Sequence, residues 1–207
     1  MAVRINYDTS GILNATLDSS YAYKQMKTIS GNLNLITECK NGNRSAHRQL
    51  YDMYKVKMYT LCLRYMSTRH DAEDMLQEGW TKVFKQLHTF DSSKGSFYGW
   101  IRKIFVNTNL EYLRKKRLKF DNIPEEDFNK SAFYEMDVFD RMSMQEMVDI
   151  LQSLPNGYRS VFNLYVIEGY THKEIGEILN ISPNTSKTQL MKAKKMMQEK
   201  VKVLVAS

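Results

Sequence analysis

Residues 71–87, DAEDMLQEGWTKVFKQL, decide how the rest of the chain is read. Ala72, Met75, Leu76, Trp80, Val83, Phe84 and Leu87 recur at steps of three and four, the spacing that puts side chains on one face of an α-helix. That face belongs in a core. The opposite face carries Asp74, Gln77, Glu78 and Thr81 at the same spacing. A core would leave these acid and amide groups unpaired, so they read as a docking surface, with a plain solvated acidic face as the alternative. After the turn DSSKG at 91–95 comes SFYGWIRKIFVNTNLEYLRKKRLK, in which Ser96 stands where a helix N-cap is needed. Phe90, Phe97, Tyr98 and Trp100 flank this turn, ahead of a strongly basic end. Aromatic rings beside positive charge suit unstacked bases and their phosphates. Arg102, Lys103, Arg114, Lys115, Lys116, Arg117 and Lys119 face the lone Glu111, and phosphate contact is the better account of so one-sided a run.

Towards the N-terminus, Asn41-Gly42-Asn43 reads as a turn. Ala46, Leu50, Tyr54, Met58, Leu61 and Tyr65 then form a helical stripe expected to pack on the apolar face of 72–87. Thr68 to Asp71 closes that helix and opens the next, with Asp71 as its N-cap. No β-alternation interrupts the pattern, so residues 35–119 are expected to form a helical bundle. Residues 1–34 sustain no period. They read as a mobile N-terminal extension that is dispensable or that precedes a translation start at Met26.

The composition inverts at 120–142. Asp121, Glu125, Glu126, Asp127, Glu135, Asp137 and Asp140 stand against Lys130 and Arg141, with Pro124 breaking the run. This is an acidic linker. From 143 to 207 helical periodicity returns. Met147, Ile150, Leu151 and Leu154 make one face, which Pro155-Asn156-Gly157 should end. Tyr158 to Glu168 makes a second helix with Val161, Phe162 and Tyr165 inward, stopped by Gly169. Thr171 and Glu174 form a capping box, Asn180 and Ile181 turn the chain, and Ser182-Pro183 opens a helix with Leu190, Ala193 and Met197 inward. This is a helix-turn-helix. Asn184, Thr185, Lys187, Thr188, Gln189, Met191 and Lys192 are expected on the exposed side of its second helix, where short polar groups reach base edges and lysines reach phosphates.

The chain as a whole is all-α, two small helical domains joined by the acidic linker. Its net charge of +7 and pI near 9.2 favour a polyanionic partner. Cys39 and Cys62 lack the spacing of a zinc site or a disulfide framework and read as buried thiols. Asp71, Glu73, Asp74 and Glu78 come from one helix, whereas acid–base or metal chemistry needs groups converging from separate elements. No nucleophile–base pair or phosphate-binding glycine loop is present, so no enzyme activity, cofactor or metal is expected. No apolar run is long enough for a membrane span, and a cytoplasmic protein without membrane insertion is expected.

The motifs DAEDMLQEGWTKVF and GSFYGWIRKIFVNTNLEYLRKK, together with LPNGYRSVFNLYVIEGYTHKEIGEILNIS, resemble regions 2 and 4 of the bacterial sigma-70 family, in particular its extracytoplasmic-function members. The resemblance covers residues 35 to 205. It implies a factor that directs RNA polymerase core to promoters and helps open the −10 region. Asp74, Gln77, Glu78 and Thr81 would meet the clamp helices of the largest polymerase subunit. Phe90, Phe97, Tyr98, Trp100, Arg102, Lys103, Arg114, Lys115 and Lys116 would handle melted −10 DNA. Asn184, Thr185, Lys187, Thr188, Met191 and Lys192 would read double-stranded −35 DNA. An anti-sigma partner is also implied, and the linker is either an open tether or an acidic strand occupying a basic channel of the polymerase. Ser186 departs from the valine usual in the family, which suggests looser packing there. Gln189, Lys192 and Lys194 replace frequent arginines, and lysine lacks arginine's bidentate fork. Two rival functions stand beside this one: a stand-alone helix-turn-helix regulator, and a sigma mimic that binds polymerase or an anti-sigma factor but no DNA.

Overall fold

The structure, a computed structural model, describes residues 33–116 and 144–205. The expected extension before residue 33, Arg117, Lys119 and the acidic linker 120–142 lie outside the described residues. Among those described, every regular element is helical. Contacts divide the chain at Leu50 into two compact units.

In the first unit, residues 33–40 form helix α1, which buries Ile36 and Cys39. Helix therefore begins within the last residues assigned to the extension. At the expected turn the Asn43 side chain accepts from the Ser45 and Ala46 amides at 3.0 and 3.3 Å, capping the helix that follows. His47 Nε2 lies 2.9 Å from Cys39 O.

That helix, α2 (Arg44–Tyr65), runs on into the second unit, followed by α3 (Arg69–Gln86) and α4 (Phe97–Lys115). Met58, Leu61, Cys62 and Tyr65 are buried along α2, as are Ala72, Met75, Trp80, Val83 and Leu87 along and just past α3. Leu76 and Phe84 are half-buried. α3 and α4 pack closely, and a Cβ built on Gly79 would come within 2.3 Å of the Phe105 ring. Trp80 meets the same ring edge-on at 5.8 Å.

The cap of α3 is Thr68, not Asp71: the Thr68 hydroxyl accepts from the Asp71 amide at 3.1 Å. Freed from that role, the Asp71 carboxylate takes the Tyr112 hydroxyl and, at 2.9 Å, Lys116 Nζ, so it ties the start of α3 to the end of α4. Burial alone would raise this carboxyl, but the hydrogen bonds from Tyr112, Lys116 and Thr68 outweigh it and hold it below its ordinary value. Ser96 does cap α4, accepting from the Gly99 amide at 3.1 Å.

Helices α5 (Met144–Ser153), α6 (Asn156–Phe162), α7 (His172–Leu179) and α8 (Pro183–Val205) form the C-terminal group, with α6 and α7 packed on α8. Asn156 and Gly157, expected as stop residues, begin α6, because Pro155 serves as its N-cap position. The second helix then changes character. Residues Asn163–Ile167 widen into a π-helical turn, which ends at Gly169 with φ 81°, a left-handed conformation that favours glycine.

The last carbonyls of a helix have no partner within it. At the end of α2 they are met by the C-terminal group: Gln152 Nε2 reaches Leu63 O at 3.2 Å, Asn163 Nδ2 reaches Arg64 O at 2.9 Å, and Arg159 Nε reaches Tyr65 O at 2.9 Å. The fully buried Arg159 guanidinium also donates to Ser67 Oγ at 2.7 Å, to Gln152 O at 2.9 Å and to the Asn156 side chain.

Candidate polymerase and nucleic-acid interfaces

Asp74, Gln77, Glu78 and Thr81 are all exposed and share one face of α3. The face is acidic but partly countered. Lys82 Nζ sits 3.1 Å from Glu78 and 2.7 Å from Glu111 on α4, which fixes the Glu78 carboxylate at the edge of the patch. Asp74 lies 3.8 Å from His70.

The aromatic group around the turn separates into two kinds of side chain. Phe90 and Phe97, expected to stack on bases, are both only 7% exposed. Their rings meet edge-on at 5.0 Å, and the half-buried Trp100 lies 5.6 Å from each. Neither phenylalanine offers a free ring face, since together they close the small core beneath the turn. Tyr98 points outward, 40% exposed, its ring stacked 6.3 Å from Tyr54 with Lys57 Nζ 5.5 Å away. Lys103, Arg114, Lys115 and Lys116 are exposed along α4. Lys116 is engaged by Asp71 and lies over the Tyr112 ring at 4.6 Å.

Arg102 is placed differently from the other cations. Its Nε lies 2.9 Å from Glu168 Oε2, and its Nη2 donates to Ile167 O at 3.0 Å, both in the segment following α6. Arg64, which the sequence pattern did not single out, approaches the other oxygen of Glu168 at 3.7 Å. Burial raises the Glu168 carboxyl even against the two guanidiniums, and burial likewise lowers Arg64.

In the helix-turn-helix the capping box is complete: Thr171 accepts from the Glu174 amide, and Glu174 accepts from the Thr171 amide at 2.8 Å. Asn180 turns the chain in the left-handed region, φ 56°, and the Ile181 amide returns to Gly176 O at 3.0 Å. Any side chain at Gly176 would meet Ile181 O, since a Cβ there would lie 2.7 Å from it. Ser182 Oγ accepts from the Thr185 amide at 2.9 Å and so caps α8.

Along α8, Asn184, Lys187 and Met191 are exposed, and Thr185, Thr188 and Lys192 are half-exposed. Gln189, expected outside, is 1% exposed and faces inward with Leu190 and Ala193. Ser186 is fully buried and is not a packing defect: its hydroxyl lies 2.9 Å from His172 Nδ1, and the His172 ring stacks on Tyr165 at 4.4 Å. His172 thus has a structural part that its isolated position in the sequence concealed.

Two family models match the chain, sigma-70 region 2 over residues 50–119 and sigma-70 region 4 over residues 144–197. The chain belongs to the sigma-70 family. The curated relatives of this sigma factor are extracytoplasmic-function factors. SigW of Bacillus subtilis is 29% identical over 82% of this chain and 96% of its own length. The sigma-E factor of Haemophilus influenzae is 25% identical over 83% of this chain and 95% of its own. Among solved structures it is similar to CnrH in complex with the cytosolic domain of CnrY, with 19% identity, a TM-score of 0.44, and coverage of 82% of this chain and 96% of that one.

As a sigma factor of this group, the protein directs RNA polymerase to promoters, and the family implies RNA polymerase and promoter DNA as its partners. The presence of both regions disfavours the stand-alone regulator and the mimic. Its relatives are sigma factors and not enzymes. Among the described residues no helix is long and apolar enough to cross a membrane.

Proposed function

We propose a division of labour among three surfaces. The α3 face of Asp74, Gln77, Glu78 and Thr81 docks on the clamp helices of the largest polymerase subunit, acid and amide groups meeting a basic partner. Tyr98, with Lys103, Arg114, Lys115 and Lys116, holds the melted −10 strand, the ring stacking a base and the cations meeting phosphates. Asn184, Thr185, Lys187, Thr188, Met191 and Lys192 read the −35 duplex from α8. Region 2 then occupies 35–119, region 4 occupies 143–207, and the acidic stretch 120–142 joins them. An anti-sigma factor that covers these surfaces completes the set of partners.

The observation that carries this division is the pairing of α3 with α4. An exposed acidic face and an outward tyrosine with a basic helix end stand on two helices locked by the Gly79–Phe105 contact. The test is transcription in vitro with purified core polymerase from the native host on fragmented genomic DNA. Discrete new starts that share spaced upstream elements, lost on Tyr98→Ala, are the expected result. Equal activity of the Tyr98→Ala protein at every start would remove the −10 assignment.

A further inference from the structure

Glu168 belongs to region 4, yet its carboxylate is almost fully enclosed, 5% exposed, between two arginines of region 2. Arg64 lies in the last turn of α2 and is 17% exposed, and Arg102 lies one turn after Tyr98 on α4 and is 30% exposed. Residues four apart on a helix share a face, so Tyr98 and Arg102 lie on the same side of α4. Tyr54 and Lys57 extend the same surface from α2. A stacking ring next to converging guanidiniums is the pairing that single-stranded nucleic acid calls for.

The fit between Glu168 and this pocket is incomplete. Arg64 Nε is buried with no hydrogen-bond partner, and Glu168 Oε1 has none either, sitting 3.7 Å from the guanidinium that attracts it. Arg102 Nε meets Glu168 Oε2 at 2.9 Å, but neither fork brings a donor to Oε1 at hydrogen-bonding distance. A phosphate diester also presents two anionic oxygens, spaced wider on a tetrahedral centre than those of a carboxylate, and carries a fixed negative charge that burial cannot neutralise by protonation.

We propose that Arg64 and Arg102 form a binding site for a backbone phosphate of the melted strand, and that Glu168 of region 4 occupies this site in the free protein. The inference rests on the −10 role of Tyr98 proposed above. It adds Arg64 to the strand-binding surface and makes strand binding and closure of region 4 onto region 2 mutually exclusive. The rest of the interface is suited to reversal. Gln152, Arg159 and Asn163 cap carbonyls at the end of α2, and water can take over such bonds at small net loss. Docking of region 2 on polymerase while region 4 engages the −35 element would draw the two apart and vacate the pocket.

The test uses the full chain and a short fluorescein-labelled single-stranded DNA of random sequence, with binding read by anisotropy without polymerase. Glu168→Gln keeps the shape and removes the competing charge. It should tighten binding by on the order of tenfold, within the usual range of couplings between two sites. Adding Arg64→Ala to that variant should cancel the gain and lower the slope of log K against log salt by about one. Circular dichroism of each variant checks that the fold is kept, and Glu168→Ala provides a second variant with the charge removed. Unchanged affinity in both folded Glu168 variants would overturn the proposal, as would an Arg64→Ala effect that leaves the salt slope where it was. The −10 reading fails separately: Tyr98→Ala would then leave both the anisotropy signal and promoter-dependent transcription intact.

Discussion

Replacing Arg159 with methionine asks how much one enclosed guanidinium contributes to joining regions 2 and 4. The side chain is 0% exposed. Burial lowers the guanidinium well below its usual value, to about 10, and Asp71 only partly opposes this. At about 1.4 kcal/mol per pH unit, roughly 3 kcal/mol stands against the charge in this place. Methionine removes that opposition, but it also strands the acceptors that Arg159 now satisfies. Tyr65 O and Gln152 O are each 2.9 Å from its nitrogens, Leu154 O is 3.3 Å away and Ser67 Oγ is 2.7 Å away. A buried acceptor left without a donor costs about 1–3 kcal/mol. Opening the interface returns Tyr65 O to water, whereas Gln152 O and Leu154 O stay inside region 4. The net loss is therefore expected at about 2–4 kcal/mol, felt by region 4 and by the interface together.

The two tryptophans, Trp80 and Trp100, both lie in region 2, so the assay separates the regions by itself. In urea, the transitions seen by tryptophan fluorescence and by far-ultraviolet circular dichroism should coincide for the parent protein. In Arg159→Met the dichroism should begin to fall at lower urea while the fluorescence transition moves little. Arg159→Lys, which keeps the charge but loses the fork, should lie between them. Coincident transitions with an unchanged midpoint in the methionine variant would refute the reasoning.

Three other outcomes are expected. Gln77→Lys with Glu78→Lys should weaken polymerase binding at least about tenfold through like-charge repulsion, while loss of the Glu78–Lys82 pair at the surface costs no more than about 0.5 kcal/mol of stability; unchanged core affinity by titration removes the docking face. Lys187→Ala and Thr188→Ala should each reduce −35 discrimination by about 1–3 kcal/mol if they touch bases, and equal losses on all duplexes would mark them as phosphate contacts instead. Burial first, then Lys187 and Lys194, holds His172 below its ordinary 6.5, so the folded state disfavours the extra proton. Region 4 stability should accordingly be complete above about that pH and decline as the pH falls through it. His172→Phe should abolish this decline yet lower stability at neutral pH by about 1–3 kcal/mol through the orphaned Ser186 hydroxyl, and adding Ser186→Val should restore it. A thermal melt series across pH tests both halves.

Local chemistry was legible in the sequence and long-range chemistry was not. The Ser96 cap and the Thr171–Glu174 box involve partners three residues apart, and the inward stripes of α2 and α3 are periodic, so both leave a pattern in the string. Asp71 was the wrong cap for α3, an error the string invites because either residue type can cap; the geometry decides for Thr68, because its hydroxyl meets the Asp71 amide while Asp71 is claimed by Tyr112 and Lys116 from α4. Phe90 and Phe97 were misplaced because aromatic composition does not say which ring closes a core and which faces out. Arg159 lies in a segment whose pattern reads as an ordinary helix, and its main partner across the interface is 94 positions away. Gln189 is a polar residue on an inward stripe, where polarity alone points the wrong way, and Ser186 was expected to loosen that stripe because its partner His172 lies 14 positions away.

The close approach of Gly79 to Phe105 constrains how such a factor can be rebuilt. Gly79 is flanked by the exposed Glu78 and by Trp80, which is buried, and it has no room for even a methyl group against the ring from α4. Chimeras that exchange α3 alone to retarget the protein to another polymerase would bring a helix cut for a different neighbour. The practical unit of exchange is α3 together with α4, so under the division of labour proposed above a graft that changes the polymerase-docking face also carries over the donor's surface for the melted strand.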